Sequence, residues 1–174
     1  VSRDVLNNTT LTNQNITSLD NGVQKVPGVT IADGQANIRG GSGWSYGAGT
    51  RVAILYDDLP ITTADADDAK WSMIPMENID QVEIIKGAAS ALYGSGALNG
   101  VINARMAYPT DKPYTKVTTY AGFYEGPTKT RELKFWKGTP RYFAGINFAD
   151  RRKIGQWDLI VGGAYNNDKS YLDS

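Results

Sequence analysis

Two groups of residues have types suited to chemistry. One is acidic, Asp65, Asp67 and Asp68 with Trp71 close behind; the other is the aromatic pair Trp44 and Tyr46 on the glycine-rich stretch 40–50. Hard carboxylate oxygens suit Ca²⁺, but this spacing lacks the glycine and distal glutamate of an EF-hand loop, so a solvated acidic loop is the plainer account. Aromatic rings on a loop form flat amphipathic surfaces that can hold a ligand, or they simply decorate a surface loop. Asp57-Asp58 and Asp67-Asp68 make poor acid–base pairs, because neighbours on a strand point to opposite faces. Gly94-x-Gly96-x-x-x-Gly100 follows a helix-prone segment and opens a strand, the reverse of a dinucleotide-binding loop, and its spacing is one residue too long.

The absences are as useful. The 174 residues contain neither histidine nor cysteine, which removes Ser-His-Asp and Cys-His nucleophiles, imidazole and thiolate metal sites, and disulfides. No cofactor is expected beyond the Ca²⁺ option at the acidic loop. Lys and Arg total 18, as do Asp and Glu, so no basic face is expected and nucleic acid is not an expected partner. No stretch approaches the roughly 18–20 apolar residues of a membrane-spanning helix.

The elements that must position these groups fall into two textures. Up to residue 107 short strands and helices interleave as an α+β domain with a mixed sheet. Leu19, Val23 and Val26 have helical spacing over Ser18 to Lys25, stopped by Pro27-Gly28. Val29 to Ile31 and Asn37 to Arg39 are strand candidates around an Asp33-Gly34 turn. Val52 to Leu55 is an apolar run suited to burial on both faces, and Pro75 to Ile79 reads as a short helix started by its proline. Gln81 to Lys86 is a strand, Ala88 to Leu92 a helical turn, and Val101-Ile102 extends again, with Gly94, Gly96 and Gly100 free to take positive φ. Arg39, Glu83 and Lys86 sit within or beside these apolar strands, a costly placement unless they are partnered or lie at a watered edge.

From 108 to 174 the alternation lengthens. Lys116 to Tyr124 is one stretch; Tyr142, Ala144, Ile146 and Phe148 form one apolar set, and Trp157, Leu159, Val161, Gly163 and Tyr165 another. Trp157 and Tyr165 are eight residues apart, about 26 Å at roughly 3.3 Å per residue. That approximates an apolar band about 25 Å tall with an aromatic at each edge. Asp150 to Gln156 reads as a short charged turn. A soluble antiparallel meander shares this periodicity.

The run Val82 to Asn103 carries a specific likeness. It resembles the plug domain of TonB-dependent outer-membrane receptors, whose pattern is approximately I-E-x-I-E-V-x-R-G-P-x-S-A-L-Y-G-x-x-A-x-G-G-V-I-N-I. Ile79, Val82, Glu83, Gly87, Ser90 to Gly94, Ala97 and Gly100 to Asn103 fall into register. Asn37 to Gly40 resembles the family's I-R-G, and Val52 to Pro60 its V-L-V-D-G-V-P, with Asp58 where glycine is usual. Asp takes a left-handed turn less readily than glycine, which puts the geometry of that hairpin in question.

The resemblance implies a plug at 1–107 followed at 108–174 by the first antiparallel strands of an outer-membrane β-barrel, incomplete here. A barrel of about 22 strands is implied, so the reading frame is expected to continue beyond Ser174. It also implies ligand-gated import across the outer membrane of a Gram-negative cell, not catalysis. The plug lies in the lumen, Ile146, Phe148, Leu159 and Val161 face lipid, and TonB acts through an N-terminal segment not recognisable in this chain. Siderophore-iron is the default ligand, with cobalamin, haem and oligosaccharide as alternatives. Trp44, Tyr46, Trp71, Asp65, Asp67 and Asp68 are the expected ligand contacts, and Arg39, Glu83 and Lys86 the expected plug–barrel contacts. Two rivals lie outside transport: a soluble carbohydrate-binding β module stacking sugars on Trp44, Tyr46 and Trp71, and a carboxylate-dependent glycosidase.

Overall fold

A computed structural model describes residues 2–14, 16, 18–40, 44, 45, 49–62, 69–124 and 141–169. It divides into two compact units, 1–107 and 108–174.

The first unit opens with two elements that composition does not announce. Strand β1 (Ser2–Asn7) is polar and largely exposed, and helix α1 (Asn8–Asn13) is built from Asn and Thr, poor helix formers. What holds α1 is Leu11, 3% exposed. Helix α2 (Leu19–Val23) buries Leu19 and Val23 one turn apart. Strands β2 (Val29–Ala32) and β3 (Gln35–Ile38) form a hairpin whose Asp33 and Gly34 both take positive φ, the conformation a two-residue type I′ turn demands. The two-residue strands β4 (Trp44–Ser45) and β5 (Gly49–Thr50) pair with each other.

Strand β6 (Val52–Tyr56) turns through Asp57-Asp58 into β7 (Leu59–Pro60). After 3₁₀ turns at Trp71–Met73 and Met76–Asn78 come β8 (Ile79–Lys86), helix α3 (Ser90–Tyr93) and β9 (Gly100–Met106). The sheet order is β1-β8-β9-β6-β7: β8 runs antiparallel to both neighbours, while β9 and β6 are parallel. The sheet is mixed, and α1, α2 and the β2–β3 hairpin cover one face. Leu19, Val23, Ile54, Ile84 and Ile102 meet there, each worth roughly 1.5–3 kcal/mol of burial. The other face packs Ala53, Leu55 and Val101 against Ala89 and Ala97. β6 is thus buried on both faces, as its apolar run implies.

Three local expectations need correction. Pro75 does not start an α-helix; it precedes a single 3₁₀ turn with extended φ/ψ, because β8 begins immediately at Ile79 and leaves no room for a second turn. Gly96 lies in a 3₁₀ turn (Ser95–Ala97) without positive φ, whereas Gly94 and Gly100 take φ of 83° and 157°. Asp150 to Ile154 is not a turn.

That last point belongs to the second unit, an antiparallel meander of β10 (Tyr114–Tyr124), β11 (Arg141–Ile154) and β12 (Trp157–Asp168). The charged stretch continues β11, Ile154 pairs with Trp157, and only Gly155-Gln156 turns the chain, with Gly155 at φ 63°. A two-residue hairpin needs nothing longer. Register puts Ile146 opposite Tyr165 and Phe148 opposite Val117 and Gly163, so the apolar sets share one face. On the other face Phe143 covers Gly122 and Tyr120 covers Gly145, rings filling the space a missing side chain leaves. Three strands do not close a barrel, and no helix among the described residues is long and apolar enough to cross a membrane.

Candidate functional site

The acidic loop and the aromatic loop lie mostly outside the described residues. Asp65, Asp67, Asp68 and Tyr46 are among those not described, and for Trp44 only the backbone pairing with Thr50 is. The ends of the acidic segment are placed: Thr62 and Ala69 form an antiparallel bridge, and the Lys70 N–H donates to the Ile61 carbonyl at 3.2 Å. Among the described residues no three carboxylates converge as a metal site. Trp71 is half-buried against the core, and its indole N–H donates to the Gly34 carbonyl at 2.7 Å. Its polar handle is used within the fold, tying the 3₁₀ turn to the tip of the β2–β3 hairpin.

The three charges set among apolar strands all find partners inside the first unit, and each leads to β1. Arg39, at φ 54°, donates from Nη2 to Ser2 Oγ at 2.7 Å. Arg3 Nη2 donates to Glu83 Oε1 at 2.6 Å, and Gln81 Nε2 to the same oxygen at 3.0 Å. Lys86 Nζ pairs with Asp4 Oδ2 at 2.7 Å and donates to the Pro27 carbonyl at 2.5 Å. Glu83 and Lys86 are buried charges, and burial without a counter-charge would cost several kcal/mol. Alternation explains the geometry: Asp4 lies opposite Ile84, between Val82 and Lys86 on their face, whereas Arg3 and Glu83 share the other face.

That second face carries a cluster that the sequence did not single out. Asp58 and Asn103 bond reciprocally: Asn103 Nδ2 donates to Asp58 Oδ1 at 2.8 Å, and the Asp58 N–H donates to Asn103 Oδ1 at 3.3 Å. Arg105 Nη1 pairs with Asp58 Oδ2, and its Nε lies 3.9 Å from Glu83 Oε1. The Arg105 guanidinium, with help from Asn103, holds the Asp58 carboxyl below its usual range, and Asp58 raises Arg105 in turn. Asp58 has φ 68° and follows Asp57 at φ 51°. An aspartate stands here because its side chain is bonded in place, offsetting the strain that glycine avoids. The signal was present in the departure from glycine at Asp58 and in Asn103 and Arg105 lying two apart on β9. Beside this turn lies a cleft of about 560 Å³, lined among others by Leu55, Asp58, Pro60, Thr62, Tyr93 and Gly94.

A sequence model of the family described as TonB-dependent Receptor Plug Domain matches residues 1–101. The chain belongs to that family. The chain is similar to the vitamin B12 transporter BtuB of Photobacterium profundum, 31% identical over 112 residues, 59% of this chain and 18% of that protein. It is also similar to the ferric enterobactin receptor PirA of Pseudomonas aeruginosa, 25% identical over 170 residues, 85% of this chain and 23% of that protein. The chain thus spans about a fifth of these curated relatives' length. Among solved structures, the siderophore receptor PirA from Pseudomonas aeruginosa superimposes with a TM-score of 0.73 at 22% identity, covering 97% of this chain and 29% of that one. PirA from Acinetobacter baumannii gives 0.68 at 21%, covering 95% and 24%. The shared fold is a mixed-sheet plug followed by antiparallel strands. The family is one of receptors rather than enzymes.

Proposed function

We propose that this chain is the gating part of an outer-membrane importer. The plug occludes the lumen of a barrel begun by β10–β12, an outside ligand binds over it, and TonB supplies the energy for release inward. The observation that carries this reading is the match to a siderophore receptor over 97% of the chain, plug and strands together. Ferric siderophore is the first ligand, since both receptors named PirA are described as siderophore receptors. Cobalamin is the second, favoured by the higher identity to BtuB. The exposed face carrying Ile146, Phe148, Leu159 and Val161, with Trp157 and Tyr165 towards its ends, suits lipid, its two charges, Asp150 and Arg152 opposite Val161 and Leu159, being paired with each other.

Trp44 and Tyr46 are the proposed aromatic contacts, with Asp65, Asp67 and Asp68 as polar or Ca²⁺-assisted partners. Trp71 has only its ring face left to offer. Arg39, Glu83 and Lys86, already paired with β1, would reach a surrounding wall only by sharing those partners. The test uses the full-length receptor, titrated separately with a ferric catecholate siderophore and with cyanocobalamin, with and without a calcium chelator. Saturable siderophore binding, weakened by roughly 1–3 kcal/mol in the Trp44→Ala/Tyr46→Ala double variant, is expected. Binding of cobalamin alone selects the second ligand, and binding of neither overturns both. Unchanged affinity in the double variant removes the two rings from the site.

A further inference from the structure

The face of the meander turned away from Ile146, Phe148, Leu159 and Val161 gathers three rings near one end. Tyr120 lies directly opposite Gly145, and Phe143 directly opposite Gly122. Each ring takes the place of the missing side chain: a Cβ on Gly145 would strike the tip of Tyr120, and one on Gly122 the tip of Phe143. The two rings therefore lie down along the sheet, one leaning from β10 onto β11 and the other from β11 onto β10. Tyr124 extends the row, with its ring centroid 5.5 Å from that of Phe143. Its hydroxyl reaches across β11 to both carboxylate oxygens of Asp168, at 3.0 and 2.8 Å. None of the three aromatic residues is fully buried.

Packing alone does not ask for this arrangement. Glycine weakens a strand interior, and Gly163 on the opposite face, directly across from Phe148, has no ring laid over it. Two ring-over-glycine pairs side by side make a flat aromatic floor with no side chain rising through it. With the apolar set towards lipid, this floor looks into the lumen. It also lies at the outer end, because barrels keep short turns on the periplasmic side and longer loops outside. Gly155-Gln156 alone joins β11 to β12, whereas residues 125–140 join β10 to β11 just beyond Tyr124. We propose that Tyr120, Phe143 and Tyr124 form a stacking platform for a planar aromatic group of the imported ligand, a catechol ring where that ligand is a ferric catecholate. The proposal rests on the reading of this chain as part of a siderophore importer. Aromatic faces take such a ring offset-stacked or edge-on. Asp168 has both carboxylate oxygens on the Tyr124 hydroxyl, so an anionic ligand meets ring faces rather than a bare like charge.

The experiment titrates the full-length receptor with a ferric catecholate. In Tyr120→Leu/Phe143→Leu both glycines keep an apolar cover while the ring faces are gone. Affinity should fall about three- to tenfold, the scale of aromatic pairing beyond buried area. Phe143→Tyr keeps a ring face and should bind as the wild type does. Phe123→Leu removes a ring from the opposite face and should change nothing. Tyr124→Leu uncovers no glycine, should also weaken binding, and decides the matter should the double variant not fold. Wild-type affinity in the double variant, or an equal loss in Phe143→Tyr or Phe123→Leu, overturns the platform and leaves the importer standing. A wild-type receptor that does not bind the catecholate overturns the siderophore reading, and the platform with it.

Discussion

Ile54, Ile84 and Ile102 of the plug are essentially inaccessible, whereas Ile146, Leu159 and Val161 of the meander keep about two-fifths of their surface exposed. Both units have a β-sheet with an apolar face. In the plug that face is covered by α1, α2 and a hairpin; in the meander the described residues cover it with nothing. Order in the plug therefore rests on burial, with polar ties at the edge, and order in the meander rests on its backbone ladder and on pairs across strands. That open face also carries the ion-paired Asp150 and Arg152, opposite Val161 and Leu159.

The widest gap between the units should appear on truncating one isoleucine in each. Ile84→Ala should destabilise the plug by about 2–5 kcal/mol, since it leaves a cavity in a packed core. Ile146→Ala should cost the meander less than about 1.5 kcal/mol, because much of its surface is already outside. Urea unfolding read by hydrogen exchange resolved to each unit measures both. Equal losses would mean that the face of β11 is covered after all.

Glycine sharpens the contrast at a smaller scale. A Cβ on Gly100 would strike the backbone carbonyl oxygen of Ile85 and lie 2.7 Å from Cδ1 of Ile38, at a φ of 157°. Backbone cannot swing aside, so Gly100→Ala should cost about 1–3 kcal/mol. A Cβ on Gly145 would meet the tip of the Tyr120 side chain, which can rotate away. Gly145→Ala should therefore cost well under half as much, read in the same unfolding experiment.

The smallest effect is electrostatic and belongs to the plug. Arg105 holds the folded pKa of Asp58 below its unfolded value. The stability this contributes is full above the unfolded aspartate value of about 3.9 and is lost as pH falls through the lower folded value. Asp58→Asn should then flatten the fall in plug stability below about pH 4 while changing little of its shape above it. Identical acid profiles for the variant and the wild type would mean that the pairing with Arg105 contributes nothing in solution.

What the sequence determined by itself is what depends on neighbours along the chain. The Asp33-Gly34 turn, the doubly buried run of β6, and the alternation of β11 and β12 are each set by residues within one element or one turn. The order of residues from Val82 to Asn103 was enough to identify the family. Tertiary structure alone decided β1 and α1, whose Ser, Asn and Thr favour neither element locally. β1 exists because β8 offers it a ladder, and α1 because Leu11 has a core to enter. The partners of the charges were equally invisible: Arg3 and Glu83 are 80 residues apart, and Asp58 and Arg105 are 47 apart. Residue type says that a buried Glu83 needs a cation, because desolvation demands it. Only the pairing of strands says which cation comes within reach, and that choice puts Arg105 between two carboxylates.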